Sequence, residues 1–336
     1  MNFDPTIPTG TAIFLGLLAA SWWGTWFIAL KYLDDYPLDA FYITLFISSM
    51  VIVWGAGFIL DGSALLQNIQ NIWLVDSSRV YVTFICGISY VVGIQISLRV
   101  VRVIGLSVTS PIQASINVVT GTFVTALFGG IPENLTVTRI VFAGTFLLAA
   151  VLLTMTAGRI RNKAQRDANL DTGLSKDPQV MVRSIFLLLL SSLFIPAYPI
   201  AISYGLKSVT QPNGMAVMPF MAILCTGAFV GSILICGSTL TIKKQWHVFL
   251  QHGFKKHKLG IFSGLAHYGG NIIHTYATRN LSAVVSWPLG LSGGLWTQFW
   301  GLVYGEFKST PKIGYILLIL GFLSYIIGVY IMSSPY

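Results

Sequence analysis

The chain has 336 residues, of which 54% are hydrophobic and only 9% are charged, and its mean hydropathy is +0.75. Soluble domains usually carry about 25% charged residues, so this composition excludes a water-soluble globular protein. The net charge of +9 would suit an acidic partner, but its distribution favours a role in membrane topology, and no nucleic acid is expected. Three cysteines lie in apolar runs without disulfide or metal-ligand spacing, and we expect no metal or other cofactor.

Long apolar runs separated by short polar breaks predict an all-α integral membrane protein. A membrane-spanning helix needs about 20 mostly apolar residues, and ten segments meet this requirement. They are residues 10–32, 38–60, 79–101, 103–129, 136–157, 183–206, 212–236, 258–278, 281–303 and 312–333. We number them spans 1 to 10. Residues 158–183 form the longest polar break and are predicted to link two five-helix units, 1–157 and 184–336.

The two units resemble each other in sequence. At a shift of 177 residues, seven of the 29 positions from 87 to 115 are identical, and Gly87 and Gly93 coincide with Gly264 and Gly270. A weaker match, at a shift of 172, places residues 26–29 over residues 198–201. Because five is an odd number, the second unit is predicted to cross the membrane in the opposite direction. Such an inverted repeat is typical of secondary transporters.

The distribution of lysine and arginine predicts the orientation. The loops after spans 1, 3, 5, 7 and 9 hold 16 of these residues, and the opposite side holds four. Cytoplasmic loops carry the excess of positive charge, so the linker is predicted to be cytoplasmic and both termini non-cytoplasmic. The basic segment 243–258 is interpreted as part of this signal, lying on anionic lipid.

Polar residues inside the spans indicate a cavity. His267, Asn271 and His274 share one face of span 8, and Gln113 and Asn117 share one face of span 4. Polar side chains at such depth face the interior of a bundle or a watery space. Two alternatives stay open: the histidines bond only to neighbouring helices, and the amides only hold helices together.

Tryptophans supply flat apolar surfaces in spans 1 and 9. Trp22 and Trp26 are predicted to share one face of span 1, and Trp296 and Trp300 one face of span 9, where Trp287 precedes a proline. Aromatic rings stack on planar solutes or enclose quaternary ammonium groups. The alternative is an aromatic belt at the membrane interface.

Fixed charge is nearly absent from the middle of the predicted spans, which favours a neutral solute or a cation held by aromatic rings. Glu306 lies at the end of span 9. If transport is coupled to protons, the candidates are His267, His274 and Glu306, because histidine titrates near physiological pH.

Three stretches resemble the drug/metabolite transporter superfamily, in particular its glucose/rhamnose-type permeases and ureide permeases. They are "WWGTWFIALK" at 22–31, "GLSVTSPI" at 105–112 and "WPLGLSGGLWTQFWGLVYGEFK" at 287–308. The resemblance implies a substrate cavity lined by spans 1, 3, 4, 6, 8 and 9. The candidate substrate-binding residues are then Trp26, Tyr90, Gln113, Asn117, Tyr198, His267, Asn271, His274, Trp287 and Trp296.

These observations together predict a secondary transporter of a small neutral polar solute, with a sugar ahead of a nucleobase or ureide and of a choline-like quaternary ammonium compound. The different-class alternatives are a lipid scramblase and a receptor. An enzyme is not expected, because no paired nucleophile and base and no zinc-protease or serine-hydrolase motif is present. The expected location is the plasma membrane or a bacterial inner membrane, with membrane lipids as partners. The sequence leaves open whether the protein is a monomer or a homodimer.

Overall fold

A computed structural model describes residues 5–104, 106–167, 177–251 and 253–334. The chain is 83% helix, and these ranges contain no strand. Within them, six helices are long and apolar enough to cross a membrane. The prediction of an all-α chain with apolar helices of membrane-spanning length is therefore confirmed.

Fourteen α-helices lie within the described ranges. They are α1 (Thr9–Thr25), α2 (Leu38–Asp61), α3 (Ala64–Ile104), α4 (Leu106–Gly129), α5 (Val137–Asp167), α6 (Pro178–Ser191), α7 (Ala197–Tyr204), α8 (Val217–Ser232), α9 (Ser238–Ile242), α10 (Trp246–Gln251), α11 (Gly253–Leu281), α12 (Ala283–Gly290), α13 (Gly293–Val303) and α14 (Lys312–Ser333). A 3-10 helix, Trp26–Tyr32, continues α1, and a π-helical turn, Ile233–Gly237, joins α8 to α9.

Several predicted spans are interrupted, each at an identifiable residue. Span 6 divides into α6 and α7 just before Pro196, and span 9 divides into α12 and α13 shortly after Pro288. Proline lacks the amide N–H that continues a helix. Within α3, Asp76 has φ −151° and ψ 77°, which separates a short leading helix from the predicted span 3.

The predicted linker begins later than expected. Helix α5 continues ten residues beyond the predicted end at 157, to Asp167. The extension is held by contacts, since Arg161 bonds to Glu306 and Gln165 donates to the backbone carbonyl of Glu306. Residues 168–176 of the predicted linker lie outside the described ranges.

Two large buried apolar clusters form most of the core, and a small third one lies around Ala157, Phe307 and Leu318. The larger one joins α2, α3, α7, α8 and α11, with fully buried rings such as Phe41, Phe220 and Tyr268. The second packs α5 and α14 against α4 and α12 around Leu147, Val285 and Leu289. The helices that carry the predicted polar stripes, α11 and α4, belong to the larger and the second cluster respectively.

Helix contacts come in matching sets. Helix α3 packs on α8 as α11 packs on α2, and α1 packs on α11 as α6 and α7 pack on α3. Likewise, α1 contacts α12 and α13 while α7 contacts α4, and α5 pairs with α14. Exchanging the first five predicted spans with the last five therefore maps these contacts onto one another.

The bundle has two ends, which we name by a residue at each. The Lys31 end holds the ion pairs of Lys31 with Glu306, Arg99 with Asp39 and Lys256 with Asp34. The Arg79 end holds the bond from Arg79 to the carbonyl of Tyr204 and the contacts of Ile7 with Asn280 and of Arg139 with Ser334. The described residues nearest both termini thus lie at the same end, the Arg79 end.

Candidate functional site

A cavity of about 210 Å³ lies among α1, α3, α4, α7, α11, α12 and α13. By the same measure a single water needs only about 10–15 Å³, so the space is large enough for a small solute. It extends from the middle of the bundle toward the Lys31 end, where Phe27, Leu98 and Thr297 border it.

Aromatic rings form most of the cavity wall. Tyr198 is central: its ring centroid lies 5.7 Å from that of Tyr90, 5.8 Å from that of Trp23 and 6.0 Å from that of Trp287. Trp26 completes the wall, stacked on Phe27 at 4.0 Å. These rings offer several flat apolar faces to a planar or cyclic solute.

Polar groups enter the cavity from α3, α4 and α11. Gln113 Nε2 donates to Ser97 Oγ, and the Oδ1 atom of Asn117 is buried without a hydrogen-bond partner among the described residues. The Trp287 indole donates to the backbone carbonyl of Asn117 at 3.1 Å. This bond holds α4 against α12, and the amide side chain of Asn117 remains available for another partner.

Tyr90 and His267 meet at the centre of the bundle. The hydroxyl of Tyr90 lies 3.0 Å from Nε2 of His267, and Nδ1 of His267 has no partner within the described part of the chain. The Trp26 ring meets the imidazole edge-on at 5.2 Å. The imidazole is therefore oriented by two neighbours and keeps one unpartnered ring nitrogen.

Among the side chains that the structure describes, no lysine, arginine, aspartate or glutamate lines this cavity. Its lining consists of aromatic and aliphatic side chains, glycines, hydroxyls, amides and one imidazole. Such a lining suits a neutral polar solute, since an anion would want a nearby cationic group.

Seven of the ten predicted substrate-binding residues line the cavity together. They are Trp26, Tyr90, Gln113, Asn117, Tyr198, His267 and Trp287. The other three, Asn271, His274 and Trp296, lie outside it. Trp296 is 39% exposed and packs edge-on against Phe299. The Trp23 indole donates a hydrogen bond to Asn271 Oδ1, and its ring packs on the imidazole of His274.

Asn271 and His274 belong to a group of polar side chains that adjoins the cavity, which we call the His274 cluster. Its members are Trp23, Tyr198, Asn271, His274, Thr278 and Ser286. Asn271, His274, Thr278 and Ser286 are completely buried. Trp23 and Tyr198 also line the cavity, whereas the other four members lie beyond it, on the side of the Arg79 end.

Glu306, the third predicted coupling residue, also lies away from the cavity. Its two carboxylate oxygens bind Lys31 and Arg161, the latter at 2.8 Å. Nearby, the hydroxyls of Tyr32 and Tyr304 are 2.9 Å apart. Glu306 thus ties the end of the 3-10 helix to α5 and to the segment after α13.

Three further residues that were not predicted from the sequence line the cavity, namely Trp23, Ser97 and Thr297. Trp22, predicted to share a face with Trp26, instead packs over Gly269 and borders a second pocket between α1 and α11. A position three residues before Trp26 shares its face as well as one four residues before. The adjacent tryptophans Trp22 and Trp23 therefore indicated an aromatic residue in the cavity wall, but helical spacing alone could not determine which of the two lines the cavity.

No known protein-family model matches the chain, and no curated protein matches it significantly. The fold and the cavity nevertheless define a class of protein. It is a helical bundle with apolar helices long enough to cross a membrane, arranged around a central cavity with no charge among its described lining side chains.

Proposed function

We propose that this protein is a secondary transporter that moves a small neutral polar solute across a membrane by alternating access, through ten spans arranged as an inverted repeat of five. The observation that carries the proposal is the central cavity, which has no charged residue among the lining side chains that the structure describes and is bordered by residues of both five-span units. The resemblance to the drug/metabolite transporter superfamily remains part of the proposal.

Contacts at positions outside the aligned stretches support the repeat. The shift of 177 maps Arg79 onto Lys256, and the shift of 172 maps Tyr32 onto Tyr204. Arg79 donates to the carbonyl of Tyr204 at one end, and Lys256 donates to the carbonyl of Tyr32 at 3.0 Å at the other. Two equivalent bonds at opposite ends are expected of an inverted repeat.

Equivalent close contacts support the same registers. A Cβ added at Gly93 would lie 2.9 Å from Ile195, and one added at Gly270 would lie 2.7 Å from Trp23. Gly93 is equivalent to Gly270 at the shift of 177, and Trp23 to Ile195 at the shift of 172. Tyr90 and His267, which bond to each other, are also equivalent. A pair that bonds to its own equivalent is expected on the axis between two repeats.

Interrupted and polar helices support a transport path. Predicted spans 6 and 9 are each divided into two shorter helices, and α11 of span 8 is not among the long apolar helices. Each of these three spans contributes residues to the cavity. Discontinuous and polar helices in transporters gather around the substrate, because their exposed polar groups face the cavity instead of lipid.

Among neutral solutes we place a sugar first and a nucleobase or ureide second. Gln113 and Asn117 can exchange hydrogen bonds with hydroxyl or amide groups, while Trp26 and Trp287 offer faces for stacking. The aromatic wall also suits a quaternary ammonium group, which makes such compounds the third class.

The test is a thermal-shift screen of the purified protein against sugars, nucleobases, ureides, amino acids and quaternary ammonium compounds, followed by flux into proteoliposomes. A ligand at 100 times its dissociation constant stabilises the folded state by about 2.7 kcal/mol, so a true substrate should raise the melting temperature. Saturable flux of the same compound would support transport. Tight binding without flux would indicate a receptor, and movement of labelled lipid would indicate a scramblase.

A further inference from the structure

The two halves of the proposed transport path differ in packing although the same repeat positions border them. Asn271 and His274 are equivalent to Ile94 and Ser97 at the shift of 177. Ile94 and Ser97 line the cavity, whereas Asn271 and His274 are fully buried in the His274 cluster. One face of α3 therefore borders open space where the equivalent face of α11 is filled.

Hydrogen bonds hold the filled half together. Nε2 of His274 lies 3.0 Å from the backbone carbonyl of Ser286, and Nδ1 lies 3.1 Å from the hydroxyl of Tyr198. A carbonyl only accepts, so a neutral His274 carries its proton on Nε2 and accepts from Tyr198 through Nδ1. The imidazole thereby joins three elements, α7, α11 and α12.

Direct packing closes the path nearer the surface of the Arg79 end. A Cβ added at Gly129 would lie 3.2 Å from Cβ of Ser203 and 3.4 Å from Cβ of Ala283. The repeat shifts map Gly129 onto Glu306 and Ser203 onto Lys31. At the Lys31 end the same two positions are thus joined by long charged side chains, and at the Arg79 end by the close approach of a glycine to a serine side chain.

We propose that the His274 cluster is the seal that closes the Arg79 end of the transport path, and that during turnover it opens into a second vestibule lined by Asn271 and His274. This inference rests on the proposed transport function. It assigns Asn271 and His274 to gating, and it assigns the present structure to the state open toward the Lys31 end.

Tyr198 connects the seal to the cavity. Its ring lies in the cavity wall, while its hydroxyl bonds to His274. A solute that moves this ring changes the geometry of the bond to His274. Occupancy of the cavity and closure of the seal are therefore linked through one side chain, as alternating access requires.

The test measures water access at the Arg79 end directly. Cys86, Cys225 and Cys236 are replaced by alanine, and Ser203→Cys is introduced as a reporter, because Ser203 is 1% exposed and its hydroxyl has no partner among the described residues. The full chain is reconstituted in lipid nanodiscs, where both ends are accessible, and treated with a charged maleimide. The parent protein should label slowly.

His274→Ala should label at least about fivefold faster, the change in population expected when buried hydrogen bonds are lost. Tyr198→Phe removes one hydroxyl and should give a smaller increase in a protein that still folds. The matched control is His257→Ala, since His257 also makes two hydrogen bonds but lies at the Lys31 end. Unchanged labelling of Ser203→Cys in both variants would overturn the proposal.

A second reporter separates a seal from local loosening. Thr297→Cys lines the present cavity, and in the His274→Ala protein its labelling should slow as that of Ser203→Cys rises. A rise at Ser203→Cys without a fall at Thr297→Cys would overturn the alternation. If the two rates change reciprocally but no solute is transported in any flux assay, the seal stands and the proposed function fails.

Discussion

The Lys31 end and the Arg79 end of this bundle use equivalent positions in different ways. At the Lys31 end, Glu306 is held by Lys31 and Arg161, and the cavity lies on this side of the bundle. At the Arg79 end, Gly129 meets Ser203 directly and a polar cluster fills the space.

The difference shows that the two ends of the bundle are packed unequally. Long flexible ion pairs can join helices that are apart, because their side chains reach across the gap. A glycine and a serine have short side chains or none, so they come into contact only where their helices lie close together. Under the proposed transport function, the residues at each end suit an open arrangement at the Lys31 end and a closed one at the Arg79 end.

The largest effect is expected at Trp26, which lies in the cavity wall near the middle of the bundle. Trp26 is 3% exposed and packs on Phe27 and His267. Trp26→Ala should cost about 3–5 kcal/mol of stability and weaken substrate binding, measured as a lower melting temperature and a smaller ligand-induced shift. Trp296→Ala is the control, since Trp296 is 39% exposed. Equal losses in both variants would mean that Trp26 does not belong to a packed central site.

Gly129→Leu should prevent the Arg79 end from closing, because the added side chain meets Ser203 and Ala283. Overpacking of this kind costs about 1–3 kcal/mol. Thermal unfolding and labelling of Ser203→Cys would both report it. Gly144→Leu is the control, because a Cβ there meets nothing within 4 Å. A normal melting temperature and slow labelling would show that the contact is not a closure.

Gln113→Ala and Asn117→Ala should each weaken binding of the substrate found in the screen by roughly five- to tenfold, since each removes about 1 kcal/mol of hydrogen bonding. Titration by thermal shift or calorimetry measures this. Gln211→Ala, at an amide near the Arg79 end, is the control. Normal affinity in both cavity variants would make the amides structural.

Glu306→Gln should loosen the Lys31 end by about 1 kcal/mol, between the values for exposed and buried ion pairs. The loss arises because Arg161, whose side chain is 11% exposed, no longer faces a carboxylate. Labelling of Thr297→Cys should become faster, and Lys308→Gln, which also removes one charge, should not change it. The two substitutions change the net charge in opposite directions, so equal labelling in both variants would show that the Glu306 ion pairs do not hold this end together.

The smallest effect is expected at Asp34. The Lys256 ammonium, which hydrogen-bonds the Asp34 carboxylate, holds the pKa of Asp34 below its ordinary value of 3.8. A lowered pKa means that the contribution is present at neutral pH and is lost as the pH falls below that value. Asp34→Asn should therefore change the melting temperature only slightly, and less at pH 3 than at pH 7. Asp35→Asn serves as the control, and a larger effect at pH 3 would contradict the assignment.

Much of the site could be predicted because periodicity determines which way a side chain points. Gln113, Asn117 and His267 were placed on inward faces of their helices, and all three line the cavity. Periodicity does not determine how far along the bundle axis a cavity extends, so it cannot tell which residues on an inward face line the cavity. With a rise of 1.5 Å per residue, Asn271 and His274 lie about 6 and 10 Å further along α11 than His267, beyond the end of the cavity.

The helix interruptions were harder to predict than the helices. The change from α-helix to 3-10 helix at Trp26 in span 1 could not be predicted, because neither glycine nor proline occurs between Trp26 and Tyr32. The division of span 6 before Pro196 could have been expected from the proline itself. The extension of α5 to Asp167 depends on contacts with Glu306, which no local pattern reveals.

The positions of Gln113 and Asn117 have one more consequence. At the shift of 177 they are equivalent to Gly290 and Gly294, and all four residues border the cavity. The first five predicted spans thus place two amides where the last five place glycines, although the last five also contribute Tyr198 and His267 to the lining. Because a glycine has no side chain, the room beside the two amides depends on the other half of the chain, and a larger residue at either glycine would change the shape of the cavity.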